Sequence, residues 1–183
     1  MFLDFISNRR SIRKFKSQSI EKEKLSILIE AGLRAPSSRA FNPWQFIIVE
    51  DREILEKLSV SKPHGASFLK NAPLGIIVCG DSSKTDVWIE DCSIAAIFFH
   101  LAAHDLGLGS CWVQIRKREH NSSQSADQYI KQLVNIPDHM MVEAIIAIGY
   151  PDETKTPHNK EALDFHKALD SGGQPFFSGQ AVL

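Results

Sequence analysis

Residues 87–106 form a run too apolar to lie on a surface: Ile94, Ala95, Ile97, Phe98, Leu101 and Ala102 leave a helix there without a clear polar face. A helix of that kind belongs at the centre of a fold, covered by other elements. Gly107 follows it, placed to end the helix in a left-handed conformation. Two more apolar runs are of strand length. Residues 74–79 lie between Pro73 and Gly80, and residues 141–148 run from Met141 to Ile148. The short run at 74–79 is typical of a strand buried on both faces, and 141–148 reads as a final apolar strand.

The other elements are read from periodicity and caps. Phe2, Phe5 and Ile6 predict a short helix over residues 2–9. Ser19 is placed to cap a second helix, whose Leu25, Leu28, Ile29 and Gly32 share one face. Residues 34–43 carry two prolines and two serines and predict irregular backbone. Residues 45–49 read as a strand, Asp51 as the cap of the next helix, residues 111–115 as a strand and residues 126–134 as a helix. Strands alternating with helices predict a three-layer α/β sandwich. The 183 residues suit a single domain. Beyond Gly149 the chain is polar and holds Pro151, Pro157 and Pro175, so it is expected to wrap a surface, with residues 161–183 as an extended tail.

Composition excludes several classes. A net charge of -1 gives no support for nucleic-acid or membrane-surface binding. Three cysteines (Cys79, Cys92 and Cys111) at irregular spacings argue against a disulfide framework or a cysteine zinc site and suit a reducing compartment. No charged-then-apolar leader and no apolar run of membrane-spanning length is present, so the expected location is the cytoplasm. His100 and His104 are four residues apart on the long helix, a spacing that can chelate a metal. The helix lacks the glutamate of H-E-x-x-H and a third ligand, so packed histidines are expected and no metal. Trp88 and Asp91 at its start read as a core aromatic and a carboxylate suited to the helix dipole.

Four segments carry chemistry in order along the chain. Arg9-Arg10-Ser11-Ile12-Arg13-Lys14-Phe15 sets three guanidinium groups beside a hydroxyl, a donor set that suits phosphate. Ala35-Pro36-Ser37-Ser38 runs on to Pro43-Trp44. Gly107-Leu108-Gly109-Ser110-Cys111-Trp112 links the long helix to a strand, and Gly149-Tyr150-Pro151 ends the last strand. No G-x-G-x-x-G fingerprint and no Walker lysine occurs, which argues against a Rossmann or P-loop nucleotide site.

Together, and in this order, these segments resemble the nitroreductase family over residues 2–160. The resemblance implies a central mixed sheet flanked by helices in an intertwined homodimer, its tail embracing the partner. It implies an FMN-dependent enzyme with ping-pong kinetics, in which hydride passes from NADH or NADPH to flavin N5 and on to a small electron-poor acceptor such as a nitroaromatic or a quinone. Alternatives are another flavin reaction (dehalogenation, dehydrogenation or flavin fragmentation) or a non-catalytic flavin storage or sensor protein. Arg9, Ser11 and Arg13 correspond to the segment that holds the FMN phosphate and ribityl chain, with Arg10 contributing backbone. Pro36, Ser37, Ser38 and Asn42 correspond to a loop that reaches the flavin from the other subunit. The family's usual Asn there falls at Ala40, which offers only its backbone amide. Cys111, Trp112 and Gln114 correspond to the strand beside the flavin, Cys111 as a small wall residue. His158 and Lys160 match two basic residues that close over the phosphate. No catalytic side chain is implied, because the flavin carries the chemistry.

Overall fold

In chain order the described residues, 1–177, form α1 (Phe2–Ser7), α2 (Lys22–Leu33), β1 (Trp44–Val49), α3 (Arg52–Ser59), β2 (Leu74–Asp81), α4 (Trp88–Asp105), β3 (Gly109–Gln114), α5 (Ala126–Val134) and β4 (Met140–Gly149) in this computed structural model. The chain divides into two units, residues 9–155 and residues 1–8 with 156–183. The six last residues of the expected tail, 178–183, lie outside the described residues.

The larger unit is built on a four-stranded sheet of order β1-β2-β4-β3. All three strand pairings are antiparallel. The expected mixed character comes only from a parallel bridge between Ser11 and Ser110 at the β3 edge. Side chains alternate across a strand, and β2 shows what that requires when both faces are covered. Ile77 and Cys79 join one core cluster with Leu55 and Leu58 of α3 and Ile130 of α5. Ile76 and Val78 join the other, with Leu28 of α2 and Ala95, Ala96 and Phe99 of α4. All eight β2 residues are buried. The result is the expected three layers, with α4 central on its side.

Local signals set most boundaries. Asp51 accepts from the Glu53 and Ile54 amides at 2.8 and 3.1 Å and caps α3. Ser125 and Gln128 form a capping box that starts α5. Gly107 ends α4 with φ +72°. The expected Ser19 cap is not used: α2 begins at Lys22 behind an extended Glu21. Ile20 is buried in the core, so the chain stays extended past Ser19 to deliver it. The Glu21 carboxylate accepts instead from the Tyr150 hydroxyl at 2.6 Å.

In the smaller unit α1 is followed by Asn8 as its cap, and the Phe2 and Phe5 rings lie 6.2 Å apart. Within the tail Phe177 meets Phe165 and Phe176 edge-on, and Leu169 bridges Pro175.

Candidate functional site

The edge strand β3 positions the basic segment. The Ile12 amide donates to the Ser110 carbonyl at 3.0 Å. A Cβ at Gly109 would lie 2.7 Å from the Ile12 Cβ, so the close approach of segment and strand depends on glycine there. Farther on, the Lys16 amide donates to the Tyr150 carbonyl and the Asp152 amide to the Lys14 carbonyl, both at 2.9 Å. The segment is therefore tied first to β3 and then to the chain leaving β4. Arg13 and Lys14 donate their amides to Oε1 of Glu153 at 2.6 and 3.2 Å, and Lys155 Nζ lies 2.9 Å from the other oxygen.

Arg9, Ser11 and Arg13 all bear electrostatically on the Cys111 thiol. Burial pushes the Cys111 thiol up; Arg13, a hydrogen bond from Ser11 and Arg9 pull it partly back. The thiol thus stays protonated at neutral pH, a wall residue rather than a nucleophile. Among the described residues neither Arg9 nor Arg13 joins an ion pair. The Arg13 guanidinium instead stands 5.9 Å from the Phe68 ring centroid. Two unpaired guanidinium groups and a hydroxyl are a donor set for a dianion such as a phosphate monoester.

His100 backs this cluster from α4. Its Nδ1 lies 2.7 Å from the Ser110 hydroxyl, so it is a packed histidine with its own partner. Burial, and secondarily the Arg9 charge, hold its pKa down at about 4. The unfolded chain takes up this proton near pH 6.5 and the fold refuses it until about 4. The unfolded state thus binds more protons in that interval, and stability falls as pH drops through it. Between pH 7 and pH 5 the unfolding free energy should fall by about 2 kcal/mol from this group. His100→Gln should flatten that part of the profile in urea titrations; an unchanged slope would show that His100 does not titrate this way.

Strand alternation separates the remaining β3 residues. Trp112 and Gln114 face the opposite side of the strand from Cys111 and Val113. Trp112 Nε1 donates to Gln114 Oε1 at 2.9 Å, and Gln114 Nε2 donates to the Arg116 carbonyl at 3.0 Å. Cys111 and Trp112 therefore present their side chains to opposite faces of β3.

Ser37, Ser38 and Asn42 form a second group, in the α2–β1 loop. The Ser37 hydroxyl donates to Asn42 Oδ1 at 2.8 Å and accepts from the Asn42 amide at 3.0 Å. The Ser38 amide donates to Asp91 Oδ1 at 2.8 Å. Asp91 is buried in the first turn of α4 and uses its carboxylate on this loop, beyond the dipole role read from sequence. Pro36 is exposed at the head of the loop. Asp91 precedes His100 by nine residues, about 13 Å along a helix axis, so the loop anchor and the arginine cluster sit at different levels of α4. The Ala40 amide, the only donor that residue offers, is spent on the Ser37 carbonyl at 3.2 Å.

That loop holds strain. Arg39, Ala40 and Asn42 all have positive φ, at 50°, 55° and 45°. Asparagine adopts this region readily, whereas alanine does so at a cost of about 1–2 kcal/mol. Ala40→Gly should raise stability by about 1 kcal/mol, visible as a melting shift of about 2–4 °C for a chain of this size. A lower melting temperature would contradict the loop geometry.

His158 and Lys160 belong to the other unit. Both are exposed, and Lys160 opens a 3-10 turn that ends at Ala162. Sequence reading missed Glu153, Lys155 and the His100–Ser110 pair. The first two stand far from the basic segment in sequence, and no local pattern links them to it.

A strand edge and a basic segment joined around an anion-ready cluster, on a four-stranded sheet between helical layers, define a class that comparison identifies. The chain belongs to the nitroreductase family, which it matches over residues 6–62 and 57–150. It is 38% identical over 165 residues to a provisionally named NADH dehydrogenase/NAD(P)H nitroreductase of Methanothermobacter thermautotrophicus, covering 88% of this chain and 82% of that protein. It is 27% identical to an iodotyrosine deiodinase of Thermotoga neapolitana, over 89% of this chain and 95% of that one. Among solved structures, an FMN-dependent nitroreductase from Clostridium difficile R20291 superposes with a TM-score of 0.90 at 48% identity, covering 91% of this chain and 97% of that one. The architecture is the nitroreductase fold, and the chain is an oxidoreductase of that family.

Proposed function

We propose that this protein is an FMN-dependent NAD(P)H oxidoreductase that reduces a small electron-poor acceptor, a nitroaromatic or a quinone. The observation that carries the reading is the cluster at the β3 edge: Arg9 and Arg13, in no ion pair among the described residues, with the Ser11 hydroxyl between them in sequence. That donor set fits the phosphate of FMN. Bound FMN supplies two-electron redox chemistry between a nicotinamide donor and the acceptor. Arg9, Ser11 and Arg13 hold the phosphate, with Arg10 backbone beside them. Gln114 and Trp112 stand toward the ring from one face of β3, and Cys111, on the other face, remains a neutral thiol beside the phosphate donors. Pro36, Ser37, Ser38 and Asn42 reach the ring of the partner subunit's cofactor.

A homodimer is part of the proposal. Ile94 and Ile97 are exposed on α4, and Ile27 and Leu33 are exposed on α2. An exposed apolar patch of this kind supports docking of a second copy, with the single domain's tail wrapped around it. No helix among the described residues is long and apolar enough to cross a membrane, and the three cysteines are free, which supports a cytoplasmic location. The iodotyrosine deiodinase relative favours a second reading, reductive dehalogenation, at lower identity. Consumption of NADH or NADPH should rise on adding menadione or nitrofurazone and not on adding a halogenated tyrosine. The reverse pattern selects the second reading, and no consumption with any acceptor selects a storage protein.

A further inference from the structure

Glu153 places a negative charge inside the basic cluster. Its Oε1 accepts from the successive amides of Arg13 and Lys14 at 2.6 and 3.2 Å, and its Oε2 lies 2.9 Å from Lys155 Nζ. Amides of successive residues in a regular strand point to opposite sides, so convergence on one oxygen marks a local nest, a backbone arrangement that receives anions. The Glu153 side chain is 13% exposed. Lys155 first, and then the Arg13 amide, hold its pKa at about 2, so it is charged at any working pH. Its charge also bears on the Cys111 thiol, as do Arg9, Ser11 and Arg13.

The nest and the cluster share Arg13. The backbone of that residue serves Glu153, which leaves its side chain to serve the site. The carboxylate therefore has two effects of opposite sign on an anion bound nearby. As an acceptor it fixes the turn of backbone that presents Arg13. As a charge it offsets the arginines and occupies Lys155.

We infer that Glu153 is a positioning residue for the phosphate end of the cofactor, anchoring the Arg13–Lys14 backbone while its charge moderates anion affinity at that site. The inference rests on the reading of Arg9, Ser11 and Arg13 as the phosphate site. It separates the two effects by substitution, because Glu153→Gln keeps an acceptor oxygen and removes the charge, whereas Glu153→Ala removes both.

The test is flavin-fluorescence titration of the apoprotein of each variant with FMN and with riboflavin, which lacks the phosphate. Glu153→Gln should bind FMN about three- to tenfold more tightly than the natural protein, with riboflavin affinity unchanged. Glu153→Ala should bind FMN at least about tenfold more weakly than Glu153→Gln. FMN binding by Glu153→Gln that is unchanged or weaker, or a change shared equally by riboflavin, overturns the inference. If Glu153→Ala does not fold, the Glu153→Gln titrations decide alone. Arg13→Ala keeps the two readings distinguishable. Weakened FMN binding there with no response in Glu153→Gln rejects only the role of Glu153, whereas unchanged binding in Arg13→Ala removes Arg13 from the phosphate site and with it the ground of the inference.

Discussion

Replacing Arg13 by alanine should raise the FMN dissociation constant by about 10- to 100-fold, the loss of one charge-assisted contact worth about 1.5–3 kcal/mol. Turnover at saturating FMN should change by less than about threefold, because an interaction that holds the cofactor is not one made in the transition state. The side chain is exposed, with its guanidinium 5.9 Å from the Phe68 ring centroid, so the fold should tolerate the change. The backbone amide that serves Glu153 remains in the variant. Titration of the apoprotein with FMN, followed by steady-state rates at saturating FMN, measures both quantities. An unchanged dissociation constant removes Arg13 from the site.

Replacing Gly109 by alanine should strike fold and site together. The new Cβ would lie 2.7, 2.8 and 2.9 Å from the Cβ, Cγ2 and Cγ1 of Ile12. Ile12 is buried against the core under α3 and α5 and donates its amide to Ser110, so it cannot give way without moving its neighbours Ser11 and Arg13. Overpacking of this kind costs about 1–3 kcal/mol, a fall of about 2–12 °C in melting temperature. FMN affinity should fall as well. The double variant Gly109→Ala with Ile12→Gly should be little less stable than Ile12→Gly alone, since Ile12→Gly removes the Cβ, Cγ1 and Cγ2 that the new methyl would meet. Additive losses would show that the clash lies elsewhere.

How far the sequence spoke depended on whether a signal was local. Residues 126–134 were legible to the residue because Ser125 and Gln128 are a capping box, the doubly buried strand β2 because residues 74–79 carry no polar side chain, and β4 because Glu143 alone interrupts its apolar run. Ser19 misled because the cap rule weighs only the helix, while the need to bury Ile20 acts from the core. At the site, the Arg9–Arg13 segment was legible because its donors are contiguous. The opposite facing of Cys111 and Trp112 follows from strand period alone and was open to reading. Glu153 was not: 140 residues separate it from the Arg13 amide it binds, and an acid beside Asp152 reads as solvated surface. The left-handed run at Arg39, Ala40 and Asn42 was also hidden, since only asparagine advertises that region.

The central claim is that the cluster at the β3 edge holds FMN in an enzyme reduced by a nicotinamide donor. The visible absorption spectrum of the purified protein, supplied with FMN and kept anaerobic, tests it directly when NADH and then NADPH are added. The expected result is a protein-bound flavin spectrum that bleaches with at least one of the two nucleotides. A protein that retains no flavin after FMN is added and excess removed, or a bound flavin that neither nucleotide bleaches, would contradict the claim.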